Sequence, residues 1–209
     1  MTRLQHIDPN RAARGWLPPG SDQGQTLHIM FVDPDFATQP TCPFGSFEEA
    51  TRYLEQACAG MNVNHLAYAL ISSLGGAPDL LAWIATYDPA YMSYYMEHYT
   101  QLGDPVYEIA FATNAVIDWA EMVARDSVSQ ELEPVAARYG ITRYGISIPL
   151  EDSDFGNVLF SVNVKSNDAE WPAVRARLVE RFRPLAHYFH GRIKPLIELR
   201  KLAEINFSA

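Results

Sequence analysis

One segment governs how this chain folds: Tyr87-Asp-Pro-Ala-Tyr91-Met-Ser-Tyr94-Tyr95-Met-Glu-His-Tyr99-Thr-Gln-Leu-Gly103-Asp104-Pro105-Val106. Asp88 is a good helix N-cap, Pro89 fits the first helical position, and Gly103 is a common helix terminator. Asp104-Pro105 then repeats the start signal. The segment therefore predicts two helices with almost no loop between them.

Four tyrosines in this segment recur at every fourth position, namely Tyr87, Tyr91, Tyr95 and Tyr99. This spacing places them on neighbouring turns of one helical face. Each carries an apolar ring and a hydroxyl that seeks a partner when buried. Beside the carboxylate of Asp104, such a row suits a small, mostly apolar ligand with a few polar atoms. Spacing alone favours the other interpretation, a core-facing stripe whose hydroxyls reach water.

Together with Trp119, the segment resembles the autoinducer-binding domain of LuxR-type quorum-sensing regulators. That family carries Tyr-Pro-x-x-Trp, a later Tyr, then Asp-Pro, and a Trp beyond it. Here the same order reads Tyr87, Tyr91, Tyr95, Asp104-Pro105 and Trp119. Residues 140–149 resemble the family's Gly-Leu-x-x-Gly-x-x-x-Pro motif with one extra residue between the glycines, and residues 155–162 resemble the strand that closes the family's pocket. The resemblance covers roughly residues 46–191.

The resemblance implies an α/β fold, a three-layer α/β/α sandwich around a mainly antiparallel sheet. It implies a buried pocket for an acyl-homoserine lactone or a related apolar signal, with binding coupled to folding and homodimerisation. DNA would be contacted only through a helix-turn-helix domain that is not part of this sequence. Residues 1–45 are expected to form an N-terminal extension, 46–191 the autoinducer-binding domain, and 192–209 a linker towards the absent domain.

The resemblance also implies roles for individual residues. Asp104 would accept the ligand's amide N–H, although its residue type alone favours a helix cap. Tyr87 would donate to the acyl carbonyl and Tyr91 would reach the head group. The cavity walls and the acyl-tail lining would come from Tyr95, Trp119, Leu66, Tyr68, Trp83 and Leu159, although core packing alone would explain the last four.

Two positions depart from the family pattern. Tyr91 stands where the family has a Trp whose indole N–H meets the lactone carbonyl. Leu159 stands where the family has a ligand-facing Ser or Thr, and Ser161 lies two residues on, on the same strand face. Both departures leave the family interpretation intact and leave the ligand's head group open.

The composition argues against several classes of function. The formal net charge of −9 argues against direct nucleic-acid binding by this 209-residue chain. Two cysteines are too few for a disulfide framework or a thiol metal site, and His187 and His190 have no third ligand nearby in sequence. No cofactor, metal or membrane partner is therefore expected. Without a secretory signal or membrane-length apolar run, the sequence predicts a cytoplasmic protein.

The remaining pattern predicts a capped helix after Ser46, a hairpin from residues 63–71 and 80–86, and a short helix after Pro105. Residues 114–122 are expected to be irregular, followed by a helix over 131–139 closed by Gly140. Strands over 146–149 and 158–164 precede a long helix capped by Asp168.

Two other functions stay open. One is a ligand-free or non-lactone antagonist of the same family. The other is a small hydrolase or lactonase, for which the sequence offers no Gly-x-Ser-x-Gly context around Ser72, Ser73 or Ser147.

Overall fold

The computed structural model describes residues 42–72, 79–98, 104–152, 154 and 156–207, and leaves the side chains of residues 72, 79 and 201–207 outside that description. Most of the predicted N-terminal extension, Tyr99 and Gly103 therefore lie outside the described residues. The elements, in chain order, are α1 (Phe47–Met61), β1 (His65–Ser72), β2 (Asp79–Ala85), α2 (Pro89–His98), α3 (Pro105–Thr113), β3 (Ile117–Asp118), α4 (Trp119–Arg125), α5 (Ser127–Ala137), β4 (Gly145–Asp152), β5 (Gly156–Asn163) and α6 (Trp171–Phe207).

The five strands form one antiparallel sheet in the order β2-β1-β5-β4-β3. Helices α1 and α6 cover one face, where the largest group of buried apolar side chains lies. Helices α2 to α5 cover the other face, over two smaller clusters. The predicted three-layer α/β/α sandwich with an antiparallel sheet is confirmed.

The helix starts follow their capping residues. Ser46 Oγ accepts the N–H of Glu49 at 3.1 Å and begins α1. Asp88 Oδ1 accepts the N–H of Ala90 at 2.7 Å at the start of α2, and Asp104 Oδ1 accepts the N–H of Val106 at 2.8 Å at the start of α3. These bonds satisfy N–H groups that have no partner within the helix.

The prediction that residues 114–122 are irregular is wrong, because they contain β3 and the start of α4. Asp118 Oδ1 accepts the N–H of Ala120 at 2.9 Å and so caps α4. The same carboxylate accepts the indole N–H of Trp171 at 3.0 Å and pairs with Arg175. A strand of two residues is too short to show a periodicity in the sequence, so β3 could not be predicted.

The predicted cap of the last helix is also wrong. Helix α6 begins at Trp171, and Asn167 Oδ1 accepts the N–H groups of Ala169 and Glu170 at 3.1 Å in the turn before it. The Asp168 carboxylate instead accepts hydrogen bonds from Arg143 and the Tyr144 hydroxyl. Both residues offer the same cap chemistry in sequence.

Helix α6 continues through Pro184 and Pro195 to Phe207. Ile193 and Ile197, which lie in the predicted linker, are 0% and 1% exposed within the main core. The first turns of the segment 192–209 therefore pack on the domain. No helix among the described residues combines the length and apolar character needed to cross a membrane.

Candidate functional site

A cavity of about 120 Å³ lies between the sheet and helices α2 to α5. A single buried water needs only about 10–15 Å³ of such a cavity, so the space suits a small organic molecule. Eight of the ten residues predicted for the ligand site line it: Trp83, Tyr87, Tyr91, Tyr95, Asp104, Trp119, Leu159 and Ser161.

Leu66 and Tyr68 do not line this cavity, and their prediction as tail-contacting residues is wrong. Successive strand side chains point to opposite faces. Ala67 of β1 lines the cavity, whereas Leu66 and Tyr68 are 0% exposed in the core on the α1/α6 side. There Tyr68 pairs with Phe160 across the sheet and its hydroxyl bonds His190 Nδ1 at 2.8 Å.

Asp104 has two roles at the cavity wall. One carboxylate oxygen caps α3 through the Val106 N–H, and the other accepts the hydroxyl of Tyr95. Burial raises the pKa of the Asp104 carboxyl, and both hydrogen bonds oppose that rise. The carboxylate is therefore an acceptor in an environment that disfavours its charge, where one more N–H donor would be favourable.

Aromatic rings from β2, α2, the turn between them and the start of α4 form one cluster, the aromatic cluster, which contains Trp83, Tyr87, Tyr91, Tyr95 and Trp119. Ring centroids are separated by 5.2 Å between Trp83 and Tyr95 and by 5.6 Å between Tyr87 and Tyr91, both with edge contacts. Burial raises the pKa of the Tyr87 and Tyr95 phenols well above their ordinary value. Both hydroxyls therefore keep their protons and act as donors.

Tyr91, the residue that replaces the family's Trp, is 5% exposed. Its ring lies 5.6 Å from that of Tyr139, in the turn after α5. Tyr91 therefore lines the cavity while it packs against Tyr139.

A chain of hydrogen bonds joins Trp119, Ser147 and Ser161 on the side of the cavity that the sheet forms. The Trp119 indole N–H donates to Ser147 Oγ at 2.9 Å, and Ser147 Oγ lies 2.8 Å from Ser161 Oγ. Gly145 allows this arrangement, because a Cβ there would lie within 2.6 Å of Trp119 Cδ2. The indole thus packs directly on the backbone of β4.

Several cavity residues were not foreseen from the sequence. Ser147 was considered only as a nucleophile, yet a serine between Ile146 and Ile148 in a buried strand was a signal of a polar contact. The other unforeseen residues include Ala67, Val106, Tyr107, Met122, Val128, Leu132, Ile141, Thr142 and Arg143. Five of them lie on α3, α4 and α5, which carry apolar side chains on several faces, so the sequence did not show which face meets the cavity.

No group of three or more metal-ligating side chains occurs within the part of the chain that the structure describes. His190, considered above as a metal ligand, contacts Tyr68 through Nδ1 and Asp152 Oδ2 through Nε2 at 2.9 Å. The His190 ring thus joins α6 to β1 and β4.

The family model described as the autoinducer binding domain matches residues 46–193. The chain is also 26% identical over 151 residues to the transcriptional activator protein RaiR of Rhizobium etli. The aligned region covers 70% of this chain and 62% of RaiR.

Solved structures with the same fold include SdiA of Escherichia coli, with a TM-score of 0.57 and 17% identity over 79% of this chain and 63% of SdiA. Another is the N-acylhomoserine lactone-dependent LuxR family transcription factor CepR2 from Burkholderia cenocepacia, with a TM-score of 0.57 and 20% identity over 72% of this chain and 86% of CepR2. The chain spans less than two thirds of the length of RaiR and of SdiA. Because the family model covers more than half of the sequence, the chain belongs to the autoinducer-binding domain family of LuxR-type transcriptional regulators.

Proposed function

We propose that this domain binds an acyl-homoserine lactone, or a chemically related apolar signal, in the cavity beneath helices α2 to α5. The observation that carries the proposal is the position of the Asp104 carboxylate, half-buried beside the Tyr87 and Tyr95 phenols in a cavity lined mainly by apolar and aromatic side chains. Few polar groups in an apolar enclosure are typical of small-molecule sites.

An acyl-homoserine lactone matches these groups in chemistry. Its amide N–H would donate to Asp104, whose charged form is disfavoured by burial, and its acyl carbonyl would accept from Tyr87. The acyl tail would lie against Leu159, Met122 and Val106, which belong to the apolar cluster around α3. The similar fold of CepR2, an N-acylhomoserine lactone-dependent transcription factor, is consistent with this ligand class.

Coupling between binding and assembly is the second part of the proposal. A ligand that only the folded state binds stabilises that state by about 4 kcal/mol at a thousandfold excess over its dissociation constant. We propose that this stabilisation favours a cytoplasmic homodimer, and that DNA is reached through a separate C-terminal domain, since the chain itself carries a net charge of −9.

Calorimetric titration of the purified domain with a series of acyl-homoserine lactones tests the ligand. The wild type is expected to bind one tail length preferentially. Tyr87→Phe is expected to weaken that binding about tenfold, as the loss of one hydrogen bond implies. The matched control is Tyr68→Phe, because Tyr68 lies on the opposite face of the sheet.

Three results would contradict the proposal in different ways. Equal affinity of wild type and Tyr87→Phe would rule out the assigned contact. Stabilisation by non-lactone signals alone would show that Tyr91, packed on Tyr139, has changed the ligand class. Recovery of a ring-opened lactone by mass spectrometry would identify a hydrolase.

A further inference from the structure

Helix α5 covers the cavity differently from the other three helices on that face of the sheet. Its cavity side consists of small or aliphatic side chains and one carboxylate, namely Val128, Ser129, Leu132, Glu133 and Ala136. These positions follow the helical repeat, so a single face of α5 forms this part of the wall. Of the eleven residues of α5, only Ala136 is buried. The helix therefore has little buried apolar contact with the rest of the domain.

Side-chain hydrogen bonds hold the other helices on this face. Tyr95 of α2 donates to Asp104 at the start of α3, and Trp119 of α4 donates to Ser147 of β4. Within the described part of the chain, no side chain of α5 makes a hydrogen bond or an ion pair to another element. The middle of α5 is therefore held over the cavity by apolar contacts alone.

Both ends of α5 are anchored, in contrast to its middle. Asp126 Oδ1 accepts the N–H of Ser129 at 2.7 Å at the start of the helix. After the last turn, Gly140 adopts a positive φ of 76°, and its carbonyl accepts the Asn64 side-chain amide at 3.1 Å. Between these anchors, Pro134 lies inside the helix. Because proline has no N–H and its ring crowds the preceding turn, the middle of α5 lacks one helical hydrogen bond.

Water reaches the cavity wall at α5. Ser129 and Glu133 are half-buried, whereas Ser147, Leu159 and Ser161 on the sheet side are buried. Glu133 has no hydrogen-bond or ion-pair partner among the described residues. Since burying an unpaired charge is costly, its carboxylate must keep contact with solvent. The α5 side of the cavity is therefore next to water, while the sheet side is closed.

From these contacts we infer that α5 is the lid of the cavity, and that its middle turns unfold between the anchors at Asp126 and Gly140 to admit and release the ligand. Local unfolding of this kind occurs where few apolar contacts are buried. The inference rests on the proposed function, since it names the entry route of that ligand. A bound acyl chain would give Val128 and Leu132 an apolar surface to pack on, and so would keep the lid closed.

Opening of α5 before entry has a distinctive kinetic consequence. A substitution that makes α5 easier to open raises the rate constants for association and dissociation by the same factor, and leaves the dissociation constant unchanged. Gln130 is exposed in the middle of α5, and Gln130→Gly should raise both rate constants about threefold, because glycine is a poor helix former. Pro134→Ala restores a helical hydrogen bond, and should lower both by roughly fivefold or more.

Stopped-flow measurement of tryptophan fluorescence gives both rate constants, because Trp83 and Trp119 line the cavity. The probe is the acyl-homoserine lactone that the wild type binds most tightly in the calorimetric titration. Gln56→Gly is the matched control, since Gln56 is exposed in α1 on the opposite face of the sheet. It makes the same substitution in a helix that does not line the cavity, and should leave both rate constants unchanged.

Amide hydrogen exchange of the ligand-free domain tests the lid without a ligand. The amides of α5 should exchange faster than those in the buried centre of α6, and Pro134→Ala should slow them by roughly fivefold or more. Unchanged rate constants in both α5 variants, an equal acceleration by Gln56→Gly, or exchange in α5 no faster than in α6 overturns the inference and leaves the binding proposal intact. If no lactone binds the wild type, the proposed function is contradicted, and the entry route falls with it even where α5 exchanges rapidly.

Discussion

At the scale of single residues, the stability of the fold and the proposed recognition of the ligand place opposite demands on Asp104. Its capping oxygen stabilises α3, while its other oxygen accepts the hydroxyl of Tyr95 at the cavity wall. Burial disfavours the charged form, and the protein retains a carboxylate where a neutral side chain would fold more easily. Residues that reduce stability in this way are common at binding sites.

We therefore predict that Asp104→Asn stabilises the ligand-free domain at pH 7, by on the order of 1 kcal/mol. Asparagine also caps helices, so α3 keeps its start. Because burial raises the folded-state pKa of Asp104, its charged form destabilises the fold as pH rises through that pKa. The advantage of the variant should narrow as pH falls from 7 towards 4, where the wild-type carboxyl is protonated too.

Urea unfolding at several pH values measures this difference. Asp88→Asn is the matched control, since Asp88 caps the neighbouring helix α2 from an exposed position. It should change stability little at any of these pH values. A destabilised Asp104→Asn at pH 7 would mean that the carboxylate's hydrogen bonds outweigh its burial.

Gly145 carries a second prediction at this scale. Gly145→Ala would place a Cβ against three atoms of the Trp119 ring, including Cζ3 at 2.7 Å. The indole would have to move off β4, which would break its bond to Ser147. We expect a loss of roughly 1–3 kcal/mol in the free energy of unfolding, as for other overpacked sites, together with weaker ligand binding.

Gly60→Ala provides the comparison for this variant. Gly60 lies within α1, and a Cβ there would meet no atom within 4 Å. Alanine should leave stability unchanged or raise it by up to about 1 kcal/mol. Equal stability of the two alanine variants, measured by thermal unfolding, would contradict the close packing of Trp119 on β4.

At the scale of elements, the sheet separates the cavity from the main core. Val158, Phe160 and Val162 of β5 face α1 and α6, and Leu159 and Ser161 face the cavity. Strand β1 alternates likewise, with Ala67 at the cavity and Leu66 and Tyr68 in the main core. Cavity and core therefore share strands but not side chains.

The sequence revealed the elements better than their orientation. Capping residues located the starts of α1, α2 and α3, and the hairpins were foreseen. Strand β1, however, reads His-Leu-Ala-Tyr-Ala-Leu-Ile-Ser and is apolar on both faces, so nothing in its pattern marks the cavity side. The assignment of Leu66 and Tyr68 to the ligand failed for this reason, and the Trp119–Ser147 contact, 28 residues apart, had no local signal.

Separation of the two faces predicts that Tyr68→Phe destabilises the domain without changing ligand affinity. The variant loses the hydrogen bond between the Tyr68 hydroxyl and His190 Nδ1, which should cost about 1 kcal/mol. Thermal unfolding measures the stability and calorimetry the affinity. A fall in affinity as large as that of Tyr87→Phe would show that the sheet does not isolate the cavity from α6.

At the scale of the whole molecule, α6 joins the main core to the end of the described chain. Beyond residue 191 it still contributes Ile193 and Ile197 to the core. The Arg192 guanidinium lies 3.9 Å from the centre of the Phe44 ring, and its Nε–H donates to the Cys42 carbonyl at 2.8 Å. The helix therefore holds the segment before α1 in place.

These contacts predict that the domain does not end at residue 191. Ending the chain after Gly191 removes Arg192 and the buried Ile193 and Ile197. Replacing one buried isoleucine by alanine typically lowers the free energy of unfolding by roughly 2–5 kcal/mol. Since small domains are stabilised by only about 5–15 kcal/mol in total, this truncation should unfold a large fraction of the protein or lower its urea midpoint sharply. Ending the chain after Arg200 keeps Arg192, Ile193 and Ile197, and should preserve the midpoint of the full sequence. If both truncated forms unfold at the same urea concentration, the turns after Gly191 add nothing to the core, and the boundary expected from the sequence holds.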